Sequence, residues 1–495
     1  MKEENKKSNE KNPNLFFRFV KKQKQAGSAL VYVLVIMLIV SIIFTSLIAY
    51  IVSQLKYSFN QAEREQSFQI AEAGIDFYRW YLAHETAGKT AQQIQDFWDS
   101  TNPGPLGIGS PYQADFGGGQ YVINVQKPDP GSTIVTVTSA GIIQNVKREI
   151  QVRFRRPSWS EYLFLSNSFM NFGSQATVYG KVFSNYGIRF DGHAYNTVSA
   201  LPASFNDPTW GGNTLQFGVH TTVNPADPNA PTYPWPAGTV PDRPDVFAGG
   251  RTFPAPAVSF TGVTADLANM KNQAQAAGTY FDSSGLGRTI FLNSDGTFDI
   301  CTVKSANSNT HAISKYYATS GGGTCNSCSG SCASNYPIPN NGIIFVENNA
   351  WVDGTINGKK VTIAAANLSG GGTQADIYIG SSNSNLTYAS YDCNNMLGLV
   401  AQRDVRVLGS CPDNYVVDAA LLAQTGTVGI NDNGFSGKNS LTFNGAIVSY
   451  LEPYFEHGNN GFAVRYYNFN NNLLYCPPPY FPTGTQYSID LWKEL

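Results

Sequence analysis

The stretch QAGSALVYVLVIMLIVSIIFTSLIAYIVSQL, residues 25–55, decides how the rest of the chain is read. From Ser28 to Gln54 it holds no charged residue, and residues 29–52 are almost entirely apolar. That is about 24 residues, where about 20 span a hydrocarbon core at ~1.5 Å per residue. A cleaved secretory signal would have a shorter apolar region ending in an Ala-x-Ala-like site. Instead the chain continues as Ser53-Gln54-Leu55-Lys56-Tyr57. The segment reads as a membrane-spanning helix.

Charge placement gives it a direction. Residues 1–27 carry eight basic side chains (Lys2, Lys6, Lys7, Lys11, Arg18, Lys21, Lys22, Lys24) against Glu3, Glu4 and Glu10, a balance of +5. The whole chain carries −2, so the remainder is acidic. A basic flank stays on the cytoplasmic side of a membrane. The expected topology is a single pass through the inner or cytoplasmic membrane, with the N-terminus in the cytoplasm and the body outside. The acidic remainder predicts no nucleic-acid partner, because phosphate binding needs a basic surface.

Beyond the apolar run the helical period continues without a breaker, with Leu55, Phe59, Ala62, Ala73, Phe77 and Trp80 as its expected apolar stripe. Two flanks distinguish this segment from a plain anchor. Gln25-Ala26-Gly27-Ser28-Ala29-Leu30-Val31 precedes the run, and Phe68-Gln69-Ile70-Ala71-Glu72-Ala73-Gly74-Ile75 follows it. Together they resemble the N-terminus of PilX-type minor pilins. The resemblance implies cleavage by prepilin peptidase after Gly27, which leaves Ser28 as the mature N-terminus. It implies a helix whose Leu30, Tyr32, Leu34, Leu38 and Phe44 lie first in the membrane and then among other pilins. It also assigns Ala71, Glu72, Ala73 and Gly74 to the family motif. Most major pilins place a glutamate where this chain has Tyr32. That departure suits a tip or low-copy subunit rather than a bulk polymer.

The remainder is mainly β by composition, with 47 Gly, 27 Tyr and 30 Phe and only 14% charged residues. Five regions are expected: a basic leader at 1–27, a transmembrane and stem helix at 28–84, a pilin-like sheet at 115–156, a β-rich stretch with a Pro-rich excursion at 157–260, and a C-terminal body at 261–495 with a Cys-rich insertion. Three alternating runs, 120–125, 133–139 and 148–154, predict antiparallel strands, two of them flanking Gly141 in a hairpin-like arrangement. With the stem helix they form an α+β head. Short strands then recur between Gly, Asn and Asp, which predicts a β-solenoid (parallel β-helix-like) body, with a β-sandwich as the alternative. One helix, from Thr264 to Ala277 and stopped by Gly278, interrupts it. The aromatic C-terminus reads as an ordered strap.

All seven cysteines fall late: Cys301, Cys325, Cys328, Cys332, Cys393, Cys411 and Cys476. An oxidising compartment predicts disulfides, with Cys393 and Cys411 as one candidate pair. Zinc held by Cys325, Cys328 and Cys332 with His311 or Cys301 is the alternative, and disulfides are favoured over it. Asn431-Asp432-Asn433-Gly434 lacks the closing acid of a calcium loop and reads as a turn. No nucleophile elbow, phosphate loop or zinc-protease motif occurs. Asp404 with Arg403 and Arg406 is the nearest acid–base cluster, read as a solvated strand edge. Trp210, Tyr233 and Trp235 are candidates for a sugar platform, read first as loop anchors.

No catalytic residue, metal or cofactor is expected. The expected partners are other pilins and their assembly machinery, prepilin peptidase, the membrane and surface glycans. The expected function is that of a minor pilin displaying a β-rich body for adhesion. The rivals are a membrane-anchored carbohydrate-binding or carbohydrate-active protein and a tip pseudopilin of a secretion system.

Overall fold

The computed structural model describes residues 28–87, 89, 91–101, 103–129, 132–156, 158–212, 214–258, 260, 263–317, 324–325, 333–369, 372–482 and 487–495. The chain divides into two units, Met1–Gln66 and Ser67–Leu495. Helix α1 runs through Ser28–Thr86, 59 residues without a break. Within the first unit its side chains, almost all apolar from Ala29 to Val52, are exposed apart from half-buried Glu63. Its hydroxyls satisfy themselves locally, Thr45 Oγ1 donating to Ser41 O (2.7 Å) and Ser46 Oγ to Ile42 O (2.8 Å). Back-bonding of this kind lets polar side chains sit in an apolar medium.

In the second unit, residues 67–86 of α1 lie on an antiparallel sheet. Its strands are β1 (Tyr112–Phe116), β2 (Gly119–Gln126), β3 (Ile134–Ile143) and β4 (Val146–Arg155). A short helix, α2 (Ala91–Asp99), adds Ile94 and Trp98 to the same core. The sheet has a fifth strand from the far end of the chain: Ser488–Glu494 pairs antiparallel with β4. The expected strap is therefore structural, and the head is incomplete without the C-terminus. Arg153 donates to both oxygens of Asp490 (2.8 and 2.9 Å), and Trp492 meets Phe68 edge-on at 5.8 Å. Gly141 is a strand residue rather than part of a turn. The β3–β4 turn falls at Gln144-Asn145, where Gln144 takes the positive φ of 49°.

The body is dominated by parallel pairing. One ladder joins Thr279–Phe281, Ile343–Val346, Lys360–Ala365, Met396–Ala401, Asn414–Ala423, Gly437–Ser449, Phe164–Ser166, Val182–Ser184, Val198–Ala200 and Arg251–Thr252, each parallel to the next. A second joins Gly287–Leu292, Asn349–Ile356, Ile377–Ile379, Val405–Val407 and Val428–Ile430. A third continues from Gly437–Ser449 through Asn460–Phe469 and Ala176–Tyr179 to His193–Ala194. The pairing of Ile447 with Phe164 carries one sheet across residue 260, so the two expected body regions form a single stack.

Burial follows from that stacking. Met396–Ala401 is buried along its whole length, with Leu397, Leu399 and Ala401 in the inner core. Met396 and Val400 face a second cluster instead, together with helix α3 (Val263–Ala277) and Phe481. Helix α3 packs through Leu267, Met270 and Ala274, spaced three and four apart on one face. It stops at Gly278, whose N–H bonds to the carbonyls of Gln273 and Ala274.

An ionic clasp pins α3 to the stack. Lys271 Nζ lies 2.5 Å from Glu347, which also accepts from Tyr280 (2.7 Å), Ser369 and Leu368 N (3.3 Å). Burial alone would raise the Glu347 pKa, but these donors outweigh it and hold the carboxyl at about 2. A depressed carboxyl pKa contributes stability above the unfolded value and loses it as pH falls through the folded one. Glu347→Gln is expected to lower unfolding free energy by roughly 3 kcal/mol at neutral pH. In chemical denaturation at stepped pH, the gap to wild type should close between about 4.5 and about 2.

Candidate functional site

A helix that is apolar enough to cross a membrane and also belongs to a folded head needs one half that packs and one half that does not. The packed half of α1 begins at Ser67. The face buried against the sheet is Ser67, Ile70, Ala71, Gly74, Ile75, Tyr78 and Leu82. This differs from the expected stripe, since Ala73 and Phe77 are only half-buried and Trp80 is exposed. The reason is size: the contact is made by the smallest side chains, which a hydrophobicity count undervalues.

Helix and strand approach backbone to backbone at β3. A Cβ on Gly141 would sit 1.9 Å from Ser67 O and 2.6 Å from Ala71 N. One on Gly74 would sit 2.3 Å from Ser139 Oγ and 3.2 Å from Tyr121 Cβ. Ser67 Oγ donates to Gly141 O at 2.6 Å, spanning the gap directly. Two of the four motif residues, Ala71 and Gly74, are therefore explained by packing. Ala73 borders the contact, and Glu72 points to solvent.

Around this contact the core is aromatic. Phe77 stacks on Tyr112 at 5.2 Å, and Trp98 Nε1 donates to Tyr487 OH at 2.9 Å. Burial pushes the Tyr78 phenol well above its ordinary pKa, so it stays neutral. Nothing in the local sequence marked Ser67, Ser139 or Trp492 as partners, because the contacts are long-range. The signal that could have found them is the run of small residues at 67, 71 and 74, at helical spacing.

The unpacked half holds Leu30, Tyr32, Leu34, Leu38 and Phe44, all exposed, with Tyr32 at 68%. A helix apolar on all sides is stable only in lipid or among other apolar helices. The span has a mean hydropathy of 2.9, enough to cross a membrane by length and composition. Ser28 is the first helical residue, and Gly27 lies outside the described residues.

The other candidates separate clearly. Cys393 pairs with Cys476, not Cys411, and ties the C-terminal strap to the loop before Met396. Cys411 is a free, buried thiol whose pKa burial pushes up to about 12. Cys301 is disulfide-bonded. The side chain of Cys325, and all of Cys328 and Cys332, lie outside the described residues. Among the described residues no cluster of His, Cys, Asp and Glu is arranged to hold a metal.

Arg403, Asp404 and Arg406 line a cleft of about 250 Å³ with Asp376, Tyr378, His311 and Tyr454. Arg403 is bound through two nitrogens to Asp376, and Asp404 lies 3.5 Å from Arg403 and 3.4 Å from Arg406. Arg406 also donates to Tyr454 OH at 2.8 Å. These charges tie neighbouring strands of the second ladder together. Trp210 lies under Arg189 at 5.2 Å, and Tyr233 packs edge-on to Trp235, which meets Phe217. Each of the three therefore has a packing partner, while Trp210 and Tyr233 stay about half exposed.

Residues 26–76 match the family described as PilX N-terminal. That span covers the proposed cleavage junction, the unpacked half of α1 and the motif that docks on the sheet. Among solved structures, the chain is similar to the competence-associated pilin ComZ from Thermus thermophilus, at 13% identity and a TM-score of 0.31, over 88% of this chain and 98% of that one. No curated protein matches the chain.

The close approach sets a sharp test. Ser139 Oγ can rotate away from a side chain at Gly74, but the Ser67 carbonyl is fixed in the helix. Gly141→Val is expected to cost about 3 kcal/mol or more through forced separation of α1 and β3. Glu72→Ala should stay within about 0.5 kcal/mol of wild type. Thermal unfolding of the two variants in parallel checks the contrast.

Proposed function

We propose that the chain is a minor pilin, inserted in the membrane before it joins a filament, that displays its β-rich body outward for attachment to surfaces. The observation that carries this reading is the division of α1. One helix is apolar and unpartnered over its first half and built into a folded head over its second. Such a helix can leave the bilayer only for an equally apolar setting, and a bundle of like helices provides one. The basic residues of 1–27 support the orientation with the leader in the cytoplasm.

Two features favour a tip or low-copy place. Tyr32 stands where an acid would neutralise the amine of a neighbouring subunit. The large body is also more easily carried at an end than along a packed shaft. The exposed Glu72 is left for contact with neighbouring subunits or the assembly machinery. The body is read as a solenoid rather than a sandwich, on the strength of its three parallel ladders; sandwich strands pair antiparallel. Its charged clusters serve strand-to-strand pairing, so the role is structural and adhesive rather than catalytic.

Processing tests the reading. Intact mass of the protein from its native membrane is expected to begin at Ser28, while Gly27→Leu keeps the leader from Met1. A wild-type chain that retains residues 1–27 would overturn it and leave α1 as a plain anchor.

A further inference from the structure

The third parallel ladder carries a face that the pairing of its strands leaves unused. Outward positions align in register from strand to strand. Asp418 is opposite Asn444, Asn444 opposite Asn468, and Asn468 opposite Tyr179. Tyr195 extends the row one strand further, its ring stacked on Tyr179 at 4.6 Å with 10° between planes. In the adjacent row, Tyr466 stands between Thr442 and Thr177. Tyr179, Tyr195, Tyr466 and Tyr391 are each about half exposed, from 46% to 57%.

The row is held rigid by its own hydrogen bonds. Asn468 Nδ2 donates to Asn444 Oδ1 (2.9 Å), and Asn444 Nδ2 donates to Asp418 Oδ1 (2.7 Å) and Tyr391 OH (2.9 Å). Tyr391 OH donates in turn to Asp418 Oδ1 at 2.9 Å. Among the described residues no hydrogen bond reaches Asn468 Oδ1. No Lys, Arg or Glu occupies these outward positions, and the one acid, Asp418, is buried beneath Tyr391.

We infer that this face binds a neutral polysaccharide lying across the strands. Amides and phenols offer both donors and acceptors, which suits a partner made of hydroxyls. Tyrosine rings add apolar area for the C–H faces of sugar rings at small entropic cost. Repetition at ~4.8 Å per strand fits an extended polymer better than a compact ligand. Absence of cations disfavours an anionic polymer or a lipid headgroup. Side chains already fixed by the ladder lose little freedom on binding.

This inference rests on the displayed-body reading, and its test is independent of filament entry. The full chain in detergent is mixed with microcrystalline cellulose, chitin or dextran gel, and the bound fraction is measured beside an alginate control. Wild type should be retained on at least one neutral polymer and not on alginate. The double variant Tyr179→Ala with Tyr195→Ala should lose retention at least tenfold. Asn468→Asp, which keeps the volume, adds a charge and removes the donor to Asn444, should lose it comparably while remaining folded by circular dichroism, and it decides the matter if the double variant unfolds. No retention of wild type on any neutral polymer, retention on alginate alone, or full retention by Asn468→Asp overturns the proposal. None of these results bears on cleavage at Gly27.

Discussion

Everything in the head depends on how closely α1 can approach β3. Ser67 and Gly141 meet backbone to backbone, with a hydrogen bond where side chains would otherwise stand. That closeness brings Ile70, Ile75 and Tyr78 deep into the sheet's aromatic core. It also fixes where the helix stops being covered, since from Gln66 back to Leu30 its side chains are exposed apart from Glu63, which is half-buried. A helix that is soluble at one end and lipid-like at the other is thus a consequence of residue size and polarity along one continuous element.

The second constraint is the return of the chain. Strand Ser488–Glu494 closes the head sheet only after the whole body has been threaded. Cys393–Cys476 anchors the strap to the body, and Asp490, held by Arg153, anchors it to the head. Head and body are consequently joined by two stretches of chain, one before Trp159 and one after Cys476. A double connection of this kind resists extension better than a single linker.

Local features of the sequence were readable because local physics produces them. A long uncharged apolar run gave a helix, alternation at 120–125 and 148–154 gave strands, and the stretch from Thr264 to Ala277 with Gly278 as its stop gave α3 and its end. What was not readable depends on partners distant in the chain. Phe164 pairs with Ile447, and Phe154 with Ile489, without any trace in the neighbourhood of either. The buried face of α1 was misphased because Ser67, Ala71 and Gly74 make a tight contact by being small, while Trp80 is large and exposed. The partner of Cys393 followed from the path of the strap, which spacing does not encode. Of the motif carried by the PilX N-terminal match, Ala71 and Gly74 acquired a packing reason only once β3 was in place.

The central claim is that α1 exchanges lipid for other pilin helices. The direct measurement is to shear filaments from the native host, purify them away from membranes, and locate this chain by immunogold labelling of its body and by mass spectrometry. The account predicts label on filaments at low copy, at or near an end, with the peptide beginning at Ser28 recovered from the same fraction. A chain found only in the membrane fraction, with filaments free of label, would contradict it.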